Sequence, residues 1–148
     1  MTKLDKANRL VVVCDGAKAI LLADAGIAPA PRLSVIESFA EPHPGTAQLG
    51  TDRPGRVHES ATTARSAMEE TDLHAQAEAA FLGRLAERLG ALVETGEAPR
   101  RILLVAPPRA LGTLREALSE KVRQLVDGEI SKDLVKLPVD EIGRHIAT

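Results

Sequence analysis

Aromatic residues are nearly missing from this chain: Phe39 and Phe81 are the only two among 148 residues, with no Tyr and no Trp. That excludes base-stacking platforms of the RRM or OB type and aromatic sugar-binding clefts, each of which needs exposed rings. Cysteine is equally scarce. Cys14 is the single one, so no internal disulfide can form and a cysteine-rich metal site is excluded. Its apolar neighbours predict buried packing, since a reactive thiolate needs exposure and a nearby positive charge. The apolar run Leu10 to Cys14 stops at Asp15, far short of a signal-peptide core or the roughly 20 residues of a membrane span. A cytoplasmic location without a membrane partner is therefore expected. Neither sign of charge dominates: 19 basic residues face 21 acidic ones. This excludes a globally basic nucleic-acid binder and an acidic disordered tail, so any polyanion contact must come from a local patch.

The composition is 44% hydrophobic and 27% charged, which suits one globular domain over residues 1–148. Leu10 to Cys14 is a β-branched run too short for a helix and predicts a strand buried on both faces. Asp15-Gly16 predicts a tight hairpin with positive φ, returning through Ala19 to Ala23. Leu33 to Phe39 predicts a third strand with Leu33, Val35 and Phe39 on one face. A long loop follows at about 41–66, rich in Pro and Gly, of a length that is either functional or disordered. Apolar spacing predicts helices over about 72–92 and 111–126, separated by a strand at Ile102 to Ala106 that Pro107-Pro108 ends. A fifth strand within 129–137 and a terminal helix opened by Pro138 complete a β-β-β-α-β-α-β-α order. Right-handed crossovers then give a ribonuclease-H-like α/β fold, with a five-stranded mixed sheet in order 3-2-1-4-5 and Val12, Leu22, Val35 and Leu104 in its core.

Few residues carry chemistry. Asp15 stands where a ribonuclease-H-type nuclease keeps its first metal-binding carboxylate, and the long helix offers Glu78. The fourth strand, however, ends in Arg109 where a third ligand is required. The competing reading is that Asp15 simply makes a turn. His43, His58, His74 and His145 lack metal-ligand spacing, no serine sits in a nucleophile elbow, and no glycine-rich phosphate loop is present. No metal, cofactor or catalytic residue is expected. Two basic features remain. Arg53, Arg56 and Arg65 in the loop could contact phosphates, or pair with acids such as Asp52 and Glu59 within a structured turn. Residues 100–123 hold six basic against two acidic residues. They form either a solvated face or, through Arg109, Arg115 and the amides near Gly112, an anion site at a helix N-terminus.

Taken together, Asp15-Gly16-Ala17, Asp52-Arg53-Pro54-Gly55-Arg56, Ala106-Pro107-Pro108 followed by Leu111-Gly112 and Leu114-Arg115, and Lys132-Asp133-Leu134 resemble the bacterial host-attachment protein family. The likeness spans nearly the whole chain. The family is named for attachment of a plant-associated bacterium to host cells. It is also grouped with bacterial relatives of the middle domain of archaeo-eukaryotic peptide-chain release factors, in which a Gly-Gly-Gln loop reaches the peptidyl-transferase centre. The equivalent stretch here, Gly45 to Gly50, keeps Gln48 without the Gly-Gly pair, so the resemblance does not bring release catalysis with it. It implies a non-catalytic protein that contacts the ribosome or a structured RNA through the loop and the basic helix end. The alternative is an interaction or adhesion factor in attachment.

Overall fold

In a computed structural model, residues 3–27, 30–40 and 63–147 are described. After a 3-10 turn at Lys3–Lys6 come three strands: β1 (Arg9–Cys14), β2 (Lys18–Asp24) and β3 (Leu33–Ala40). The helix α1 (Thr63–Glu94), strand β4 (Ile102–Ala106), helices α2 (Pro108–Ala117) and α3 (Glu120–Leu125), strand β5 (Val126–Ser131) and helix α4 (Val139–Ile146) follow. The strands form one mixed sheet in the expected order β3-β2-β1-β4-β5. β1 and β4 are parallel, as are β4 and β5, while β2 is antiparallel to both its neighbours.

Strand alternation divides the core between two faces. Leu10, Val12 and Cys14 of β1 join Leu104 and Ala106 of β4 beneath α1, α2 and α3. Val11, Val13, Leu22 and Val105 point the other way, against Leu134, Val135 and α4. The crossovers from β3 to β4 and from β4 to β5 both progress in one direction along the sheet. Connections of one hand then place their helices on the same face, and α4 with the 134–135 segment closes the other.

Several expectations need correction. Val35 is 40% exposed rather than buried, although Val12, Leu22 and Leu104 are fully buried. A bulge also separates it from Phe39: Leu21 pairs with Glu37 but Leu22 pairs with Val35, so Ile36 is an extra residue. The bulge turns Ile36 and Phe39 toward the α1 face while Leu33 packs toward α4. Phe39 then meets Phe81 with ring centroids 5.8 Å apart.

The helix foreseen over 111–126 is two helices. Leu118 is extended, and the Ser119 side chain caps α3 by accepting from the Val122 amide at 3.3 Å. β5 starts at Val126, within the span assigned to that helix and ahead of the expected 129. α1 begins at Thr63, so the helix takes the last four residues assigned to the loop. The rest of that loop, 41–62, lies outside the described residues.

Candidate functional site

The carboxyl ends of β1 and β4 and the start of β2 share one edge of the sheet, and two of the sequence candidates, Asp15 and Arg109, lie there. Asp15 opens the β1–β2 hairpin. Its Oδ1 accepts hydrogen bonds from the amides of Ala17 and Lys18, both at 2.8 Å, while its own amide donates to the Lys18 carbonyl at 2.9 Å. The turn reading therefore accounts for this carboxylate. Among the described residues, no group of three or more His, Cys, Asp or Glu side chains gathers to hold a metal ion.

The positive φ expected at Gly16 is not found there; Gly96 alone among the described glycines has one. Glycine is needed at 16 for a different reason. A Cβ there would lie 2.6 Å from Cγ of Glu78 and 2.8 Å from its Cδ. Glu78 thus passes directly over the hairpin, and the burial of α1 begins just beyond it at Phe81. The fifteen helical residues before Glu78 extend past the sheet edge by about 22 Å at 1.5 Å per residue. Exposure agrees: positions 72–74 and 76–80 are exposed, and Leu73 remains 62% exposed.

Cations line the same edge. Lys18 begins β2, Arg109 stands in the first turn of α2, and Lys132 follows β5; all three are exposed. None has an ion-pair partner among the described residues. The ends of β2, β1, β4 and β5 are three inter-strand spacings apart in total, about 15 Å. α2 starts with Pro107 at its cap and no side-chain cap bond. Its first helical hydrogen bond runs from the Leu111 amide to the Pro107 carbonyl at 2.8 Å. The amides of Arg109 and Ala110 precede that bond and open on the edge, a favourable direction for an anion.

Four of the other five basic residues of the stretch are committed elsewhere, and Arg100 stands exposed before β4. Arg115 makes a forked pair with Glu129, its Nε donating at 2.9 Å, and this bond holds the Glu129 carboxyl below its usual range. Arg101 pairs with Asp127 at 2.6 Å and Lys121 with Glu94 at 3.2 Å. Arg123 donates to the carbonyls of Arg115 and Glu116 at 3.1 and 3.2 Å, closing the C-terminal end of α2. Arg115 therefore does not join Arg109. Gln48, Asp52, Arg53 and Arg56 lie outside the described residues. Arg65 falls at the start of α1, and its side chain is likewise not described. Sequence reasoning misses Lys18 and Lys132, because only the strand order shows that they flank Arg109.

Two further groups are structural. Cys14 is fully buried, and burial, with the neighbouring Asp15 charge, pushes its thiol up to about 12, which leaves it protonated. Asp24, 4% exposed, sits at the opposite edge. It accepts from the amides of Gly26 (2.9 Å) and Arg32 (3.0 Å) and from Nε of Arg9 (2.8 Å).

No helix among the described residues is long and apolar enough to cross a membrane. No curated protein matches the chain. A protein-family model described as "Protein required for attachment to host cells" matches residues 10–146. That span takes in nearly all of β1 and every later strand and helix, so the chain belongs to the host-attachment family.

Proposed function

We propose that this protein is a non-catalytic binding module that contacts structured RNA, with the ribosome as the natural candidate, through the carboxyl edge of its sheet. One observation carries the reading: α1 projects about 22 Å beyond the edge at which Lys18, Arg109 and Lys132 stand exposed. A helix so placed presents its N-terminal end to a partner docked on that edge. The exposed cations and the open α2 amides suit phosphate oxygens, which take both point charges and backbone N–H donors. The grouping of this family with relatives of release-factor middle domains, as the resemblance implies, points to the same partner class. The missing Gly-Gly pair beside Gln48 and the turn-forming role of Asp15 favour binding over catalysis.

Arg53 and Arg56 belong to this surface in the proposal. Replacing both with alanine weakens RNA binding and flattens its salt dependence, since the salt slope falls by about one unit for each phosphate the protein no longer neutralises. The melting temperature barely moves. Early melting with unchanged binding would instead assign these arginines to pairing with Asp52 or Glu59.

The family description favours a second reading, a direct interaction factor in attachment to host cells. A salt-sensitive interaction with purified RNA separates the two, because the second reading requires none.

A further inference from the structure

The projecting part of α1 carries an unpartnered stripe. Leu73, Ala77 and Ala80 follow one another at four- and three-residue spacing, which places them on one face of the helix. All three are exposed, Leu73 by 62%. Arg88 lies eleven residues beyond Ala77, three turns on and on the same side. It donates to Glu37 of β3 from Nε at 3.1 Å and from Nη2 at 2.9 Å. The stripe therefore looks out past β3, the edge strand, and away from Arg109 and Lys132 beside β4 and β5. The fifteen residues of α1 that precede Glu78 make a helix of a length that is marginal in water when free. Helices in proteins draw most of their stability from packing an amphipathic face. The charge around the stripe has one sign: residues 63–80 hold Glu69, Glu70, Asp72 and Glu78 against Arg65 alone. Glu69 and Glu70 stand four and three positions before Leu73, the spacing that shares its face. Asp72 and Glu78 are exposed and make no ion pair among the described residues.

We propose that this stripe docks a basic, amphipathic helical segment of another protein. The apolar face of the partner lies over Ala77 and Ala80, whose methyl groups allow close approach, and against Leu73; its lysines and arginines meet the acids on either side. This is recognition of an amphipathic helix by an apolar strip with complementary flanking charge. The acids repel a phosphate backbone, so the occupant differs in kind from RNA docked on the cationic edge. A second copy through the same face is a poor fit, because it would set four acids against four. The apolar strip spans seven residues, about 10 Å at 1.5 Å per residue, so the contact is small and reversible. It lies on the β3 side of the molecule and does not depend on RNA binding at the carboxyl edge.

Isothermal titration calorimetry of the full chain with a synthetic peptide tests this. The probe is about 18 residues of leucine and lysine with the leucines on one helical face, and its control is the same composition scrambled to remove that face. The wild type is expected to bind the probe saturably and one to one, and the control roughly tenfold more weakly. Leu73→Ser is expected to weaken probe binding about tenfold with an unchanged circular-dichroism melt, since Leu73 is exposed. Glu69→Gln with Glu70→Gln is expected to weaken it and to flatten its salt dependence. The variant Arg109→Ala, Lys132→Ala is expected to bind the probe as the wild type does, which separates this contact from the reading of the cationic edge. A wild type that does not bind the probe overturns the proposal. So does a Leu73→Ser variant that binds as tightly as the wild type, or a scrambled control that binds as tightly as the probe, because charge alone then accounts for the contact. Self-association of the wild type in sedimentation equilibrium, lost in Leu73→Ser, would give the stripe to a second copy and overturn it equally.

Discussion

Asp24 is the one buried polar or charged residue among the described residues, and a buried carboxylate left short of partners is costly whereas one with three donors is held firmly. Burial alone would raise its pKa, but the amides of Arg32 and Gly26 and the Arg9 guanidinium outweigh burial and keep it below the ordinary aspartate value. A carboxyl depressed on folding contributes stability above its unfolded pKa of about 3.9 and loses it as the pH falls through the lower folded value. Thermal melts should therefore weaken below about pH 4. Asp24→Asn should lose about 2 kcal/mol at neutral pH and show a shallower acid dependence. Urea titrations at neutral and acid pH measure both effects. The neighbouring glycine is constrained with it: a Cβ at Gly26 would run into the Ala30 carbonyl and the Arg32 amide, so the turn that supplies two of the three donors admits no larger residue.

At the scale of elements, the break between α2 and α3 rests on one cap. Ser119→Ala removes the acceptor for the Val122 amide and should cost about 1 kcal/mol, read as a lowered denaturation midpoint with unchanged slope. The sequence hides this break, since Leu114, Leu118 and Val122 keep helical apolar spacing straight across it. The same spacing draws Val126 into the helix, and Gly128 makes the true strand look like a turn. Strand order is readable because continuous β-branched runs and the handedness of crossovers leave few topologies. The bulge at Ile36 is not, because a single extra residue in β3 shows only against β2. The ion pair of Arg115 is hidden for a similar reason: Glu129 is fourteen residues away and meets it only once β5 lies beside α2. What can be read of the site is its edge, from Asp15 and Pro107-Pro108 at the ends of parallel strands.

For the whole molecule, the carboxyl edge carries exposed cations, and no group of three or more metal-ligating side chains gathers among the described residues. Asp15 is committed to the hairpin amides, and Arg109 stands where a third carboxylate would be required. Millimolar Mg²⁺ or Mn²⁺ should therefore leave the melting temperature almost unchanged. A large rise, which linkage ties to tight binding by the native state, would restore the metal centre. The central claim concerns RNA, and co-sedimentation with ribosomes at low and high salt addresses it most directly, comparing the wild type with the double variant Arg109→Ala, Lys132→Ala. Both side chains are exposed and without ion-pair partners among the described residues, so the variant should melt like the wild type. The account predicts that the wild type pellets with ribosomes at low salt and is released at high salt, while the variant stays in the supernatant. A wild type that remains in the supernatant at low salt, or a variant that pellets as the wild type does, would contradict it.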